Sequence, residues 1–202
     1  VSALIKAGAE IDKATTDEDG YTPLLIAALE GHDKVVSLLL DAGADENRAN
    51  RMDGGTALLL AAQDGHAKTV SVLIKAGVEI DKAMTDEWGY TPLLMAAQEG
   101  HDKVVSLLLD AGADKNYADR KFGGTALYLA AMKGHAESVS VLVKAGVEID
   151  KARTDEYGWT PLLIAAQGGY DKVVSLLLDA GADKNYAGKK QGITAALCAA
   201  RY

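Results

Sequence analysis

Apolar residues fall along the chain in short runs with helical rather than alternating spacing. Between Gly89 and Asp114, Leu93 to Ala97 make one run, and Val104, Val105, Leu107, Leu108 and Leu109 make another. Neither follows the polar/apolar period of two that a half-exposed strand requires. Thr91-Pro92 opens the first run as a helix. The Thr hydroxyl can accept an otherwise unpartnered backbone N–H, and proline in the first turn gives up a donor that has no partner there. Gly100 closes this helix, and Gly112 supplies a left-handed stop for the second. The pattern predicts a helical hairpin with capped ends, whose broad apolar stripe needs a partner surface.

The same unit recurs throughout. Its opening threonine stands at Thr22, Thr56, Thr91, Thr125, Thr160 and Thr194, in steps of 34, 35, 34, 35 and 34 residues. A period of this size predicts a repeat array with one core running along it, so residues 1–202 read as a single unit. Five full hairpins open at Thr22, Thr56, Thr91, Thr125 and Thr160, a half repeat covers 1–12 and another covers 194–202. Val1 to Gly8 matches Val70 to Gly77, a second helix alone, and Thr194 to Tyr202 matches the first helix that opens at Thr125. Such ends lack polar caps, so exposed apolar flanks are expected at both.

Thr22-Pro23-Leu24, Ala27-Ala28, Gly31-His32, the apolar run Val35 to Leu40 and Gly43-Ala44-Asp45 hold fixed offsets in copy after copy. On these motifs the chain resembles the ankyrin repeat family over essentially its whole length. The resemblance implies an all-α solenoid of stacked helical hairpins with projecting β-turn fingers, working as a non-catalytic protein-binding module. It departs from the family pattern in two respects. Leu25, Leu94 and Leu163 stand where a histidine commonly follows Thr-Pro-Leu, and the period exceeds 33 residues. The extra residues lie between hairpins, so the fingers are expected to project further than usual.

A longer period of 69 residues is superposed: blocks 13–81, 82–150 and 151–202 are close copies. Differences between the first two include Thr15/Met84, Asp19/Trp88, Leu29/Gln98, Glu46/Lys115, Arg48/Tyr117, Met52/Lys121, Asp53/Phe122, Leu59/Tyr128, Gln63/Met132 and Asp64/Lys133, while Val35–Leu40 and Val104–Leu109 are identical. The resemblance puts the varied positions on fingers and first helices, which in that family line a concave groove.

The aromatic residues carry the sharpest functional signal, because only 5% of the chain is aromatic. Trp88, Tyr90, Phe122, Tyr157 and Trp159 sit in the fingers, with Tyr21 and Met52 on earlier fingers and Tyr128, Met132 and Lys133 on a first helix. Large rigid side chains on a projecting turn suit a partner surface, where truncating one anchor commonly costs about 2 kcal/mol or more. These ten residues are the expected contact set; shielding of neighbouring finger backbone is the structural alternative for Tyr21, Tyr90 and Trp159. The acidic tips Asp17-Glu18-Asp19, Asp86-Glu87 and Asp155-Glu156 alternate with basic tips at Arg48 and Arg51, Arg120 and Lys121, and Lys189 and Lys190. Neighbouring tips should therefore attract one another, at about 0.2–1 kcal/mol per exposed pair.

Other chemistry is not indicated. His32, His66, His101 and His135 each follow the Gly between the helices, a whole repeat apart, which suits a structural hydrogen bond within each hairpin better than a metal site. Tyr170 takes that place in the fifth hairpin. No nucleophile–base constellation, phosphate loop or metal-ligand spacing stands out, and no cofactor is expected. A net charge of −8 disfavours nucleic acid and membrane surfaces. The one cysteine, Cys198, reads as packing and fits a reducing compartment, cytoplasmic or nuclear. Two other readings stay open: end-to-end stacking of uncapped faces into a spacer or assembly, and service as a regulatory or targeting segment of a larger enzyme.

Overall fold

The computed structural model describes residues 1–200; Arg201 and Tyr202, the end of the expected last half repeat, lie outside the described residues. The chain forms α1 Ser2–Lys6, α2 Pro23–Leu29, α3 Asp33–Asp41, α4 Ala57–Gln63, α5 Ala67–Ala76 and α6 Pro92–Glu99. It continues as α7 Asp102–Asp110, α8 Ala126–Lys133, α9 Ala136–Lys144, α10 Pro161–Gln167, α11 Asp171–Asp179 and α12 Ala195–Ala199. Among the described residues, β-pairing is confined to two isolated antiparallel bridges, Ala49 with Thr56 and Ala118 with Thr125, at the roots of two fingers.

Local chemistry explains the hairpins. The side chains of Thr22, Thr56, Thr91, Thr125, Thr160 and Thr194 each accept the backbone N–H three residues on, at 3.2–3.4 Å, as N-caps. Helices of seven or eight residues are marginal in isolation, so packing holds them. The even-numbered helices form an inner layer in which α2, α4, α6, α8, α10 and α12 touch in succession. Their Ala pairs, such as Ala61-Ala62 and Ala130-Ala131, are fully buried and let the backbones approach closely. The outer layer packs behind through Val36, Val70, Val105, Val139 and their leucine partners.

Hydrogen bonds tie successive hairpins together in three places, at every finger in turn, between the helices at three interfaces, and below the outer helices at alternate ones. Across the fingers, the N–H of Arg51, Thr85, Arg120, Thr154 and Lys189 donates to the carbonyl of Asp19, Asp53, Trp88, Phe122 and Tyr157, at 2.7–2.9 Å. Between the helices, Nε2 of His66, His101 and His135 lies 2.8–3.0 Å from the carbonyl oxygens of Leu29, Gln63 and Gln98. These histidines are structural as expected, but each bonds the preceding hairpin rather than its own. Below the outer helices, Asp12, Asp81 and Asp150 accept the N–H of Asp45, Asp114 and Asp183.

Apolar side chains are uncovered at both ends. Leu4 is 64% exposed and Leu197 54%, with Val1, Ile26 and Leu178 also open. Val1, Leu4, Ile5, Ile26 and Leu39 help to line an apolar hollow of about 430 Å³.

Candidate functional site

The fingers are organised by their own polar side chains. The Asn50 amide oxygen accepts the N–H groups of Asp53, Gly54 and Gly55. One copy later, the Asp119 carboxylate accepts those of Lys121, Phe122 and Gly124. In the alternate fingers Asp86 receives Trp88 N–H and Gly89 N–H, and Asp155 receives Gly158 N–H. A finger held in this way loses little entropy when a ligand arrives.

On this frame the aromatic residues form two edge-to-face groups. The Trp88 ring lies 5.9 Å from Tyr90 and 5.3 Å from Phe122, and Tyr157 lies 6.3 Å from Trp159. Cations are interleaved with them. Lys121 Nζ sits 4.3 Å from the centre of the Trp88 ring, the Arg153 guanidinium 4.5 Å from Phe122 and 5.2 Å from Tyr128, and Lys190 Nζ 4.9 Å from Tyr157. The contacts of Lys121 and Arg153, both partly buried, are worth about 0.5–2 kcal/mol, depending on desolvation. Arg153 also donates to the Tyr128 hydroxyl at 3.2 Å and pairs with Asp155 at 2.9 Å, while Lys121 pairs with Glu87 and Lys190 with Glu156. The expected attraction between neighbouring tips is therefore realised at these two lysines. Arg51 and Arg120 instead donate to the backbone carbonyls of Asp17 and Met84.

Fingers and inner helices together bound three hollows that share walls. The first, of about 300 Å³, runs between Met84, Trp88, Tyr90 and Met95. The second, of about 230 Å³, has Trp88 and Tyr90 on one side and Phe122, Met132, Lys133 and Arg153 on the other. The third, of about 520 Å³, lies between Arg153, Tyr157, Trp159, Gln167, Lys190 and Gln191. They form one groove along the third to sixth fingers.

The ten expected contact residues divide within this frame. Trp88, Phe122, Met132, Lys133, Tyr157 and Trp159 line the groove, with Tyr157 43% exposed. Tyr128 and Tyr90 touch the same hollows but are only 2% and 9% exposed. Tyr128 belongs to the inner face of α8, and Tyr90 stands one residue before an N-cap; each is packed into the core and supports the rings that are open. Burial pushes the Tyr90 hydroxyl from its ordinary 10.0 to about 12. Burial also raises Tyr128, with its bond from Arg153 acting against the rise. Met52, 63% exposed on the second finger, and half-buried Tyr21 on the first stand apart from this groove.

Arg153 was not among the expected residues, yet it joins the second hollow to the third. Its signal lies in the super-period, where Thr15 and Met84 precede it at the same register. The sixth finger is also built differently, because Gly188 stands at the register of Asn50 and Asp119. The Trp159 ring occupies the space, and a Cβ on Gly188 would come within 3.2 Å of it. Without the side-chain acceptor the turn changes, and Gln191 adopts φ +67°, a left-handed conformation that costs about 1 kcal/mol or more.

Among the described residues no cluster of His, Cys, Asp and Glu could hold a metal ion, and no helix is long and apolar enough to cross a membrane. Comparison with family models matches ankyrin repeats (3 copies) at residues 43–119 and 117–187, and a single ankyrin repeat at 19–51. A search of curated proteins found no match.

Proposed function

The chain belongs to the ankyrin repeat family, whose members are generally protein–protein interaction modules, and from that premise we propose that it binds a protein partner along the groove of its third to sixth fingers. The observation that carries this reading is the row of half-open rings, Trp88, Phe122 and Tyr157, set on fingers that are tied to one another by backbone hydrogen bonds. Rigid aromatic anchors beside small hollows are what hot spots require. The bound segment would lie along the row, with Met132 and Lys133 of α8 at its side. Ankyrin repeats are typically non-catalytic, and binding without chemistry is the role proposed here.

The test is selection of a random peptide display library on the intact chain, compared with Trp88→Ala/Phe122→Ala/Tyr157→Ala of equal helical content. The expected result is a retained pool that the triple substitution loses. Equal retention by the two proteins, or none by either, overturns the reading. A second reading, association of chains through the apolar ends, is favoured by the exposure of Leu4 and Leu197; its dependence on concentration separates it from the first.

A further inference from the structure

We propose that the hollow between the fifth and sixth fingers is the part of the groove that receives an aspartate or glutamate side chain of the partner, an inference that rests on the groove being a protein-binding surface. Its first support is a change of charge in register along the array. Asp53 and Asp64 of the first copy become Phe122 and Lys133 in the second. Met52 becomes Lys121 and then Lys190, and Thr15 becomes Met84 and then Arg153. Over the same span the outer-helix run Val35–Leu40 is repeated unchanged at 104–109 and 173–178. At these positions negative charge is removed and positive charge added, and the carboxylate that Asp119 brings in the second copy at the register of Asn50 is gone again at Gly188, while the outer-helix run stays constant.

The second support is the division between spent and unspent hydrogen-bonding groups. The carboxylates in the groove are occupied by the fold: Asp86 and Asp119 by finger N–H groups, and Asp155 by Gly158 N–H and Arg153. The donors are not. Arg153 uses Nη1 on Tyr128 and Nη2 on Asp155, but its buried Nε–H meets no acceptor in the protein, and neither does the buried indole N–H of Trp159. Lys190, nearly half exposed, has three hydrogens and one carboxylate partner, Glu156. Lys121, Arg153 and Lys190 already lie over the Trp88, Phe122 and Tyr157 rings, so the groove presents its own cations and suits an acidic group better than a further cation.

Two further features agree. The strained residue of the sixth finger, Gln191 at φ +67°, lines this hollow, and such strain concentrates at ligand sites. The acidic residues behind the net charge of −8 include Asp33, Asp41, Asp102, Asp110, Asp171 and Asp179, all on the outer helices. With a screening length of about 8 Å in physiological salt, they repel an acidic segment there more than at the groove.

The experiment uses the peptides selected on the intact chain. The pool is expected to be rich in Asp and Glu, and one acidic position of the best binder, changed to its amide, is expected to lose about tenfold in affinity. Lys190→Gln and Trp159→Phe, neither of which removes core volume on the scale of an alanine truncation, are expected to cause similar losses. Combining Lys190→Gln with the amide peptide should cost little more than either alone. A retained pool without acid enrichment, or losses that simply multiply, overturns the carboxylate assignment and leaves the groove reading standing. Affinity that disappears on C-terminal amidation of the peptide, or that requires a phosphoserine, also overturns it, in favour of a chain terminus or a phosphate. A pool that the triple aromatic substitution retains equally well removes the groove reading and this inference with it, as does the absence of any pool.

Discussion

Replacing Gly100 by alanine tests how strongly one hairpin is tied to the next. Gly100 ends α6 at φ +78°, where an L side chain costs about 1–2 kcal/mol. An added Cβ would lie 2.6 Å from Nδ1 of His135 in the following hairpin. The imidazole cannot retreat without lengthening its 3.0 Å contact with the Gln98 carbonyl, and losing that hydrogen bond costs a further 0.5–1.5 kcal/mol or so. The total is about 1.5–3.5 kcal/mol. Gly112 is the internal control: its φ is +89°, but a Cβ there meets no atom within 4 Å, so Gly112→Ala should cost only the backbone share. Urea unfolding followed by circular dichroism measures both, since the stability of a repeat array approximates a sum of unit and interface contributions. In a His135→Ala background, Gly100→Ala should cost only the backbone share of about 1–2 kcal/mol. Equal destabilisation by the two glycine substitutions would refute the reasoning and show that the histidine seam carries no coupling.

Three further outcomes are expected. Thr91→Ala, at a fully buried N-cap whose hydroxyl oxygen accepts Leu94 N–H, should cost about 1 kcal/mol in the same unfolding assay. Tyr90 is held neutral by the fold, so its contribution is intact below pH 10 and lost as pH rises towards its folded value of about 12. Stability should fall by about 2 kcal/mol across that interval, and Tyr90→Phe should flatten the fall when unfolding is repeated at several alkaline pH values. The 202-residue chain should gain apparent mass with concentration in sedimentation velocity, and Leu4→Lys with Leu197→Lys should abolish the gain, because both leucines are more than half exposed.

The hairpins and their order were legible because their determinants are local. Thr22 and its five counterparts cap from three residues away, the apolar runs keep a helical period, and the glycines that end helices need only their own backbone conformation. The groove was legible as a region, since the copies vary at its register positions and agree along Val35–Leu40. Which aromatic residue faces outward was not. Trp88 and Tyr90 stand two apart in one finger, yet Trp88 lies half open while Tyr90 joins the core. Tyr90 adjoins the Thr91 N-cap and packs against the core, while the indole stands at the finger seam, where Phe122 and Lys121 of the next finger lie against it. The histidines read correctly as structural, but their acceptors lie 37 or 38 residues back, out of reach of any local rule. By itself, then, the sequence determined the repeat, its caps and its packing face, because those depend on near neighbours along the chain. Only the tertiary structure decided that Arg153 bridges two hollows and that Tyr128 is packed into the core beneath it, because stacking hairpins places residues of successive repeats within a few ångströms.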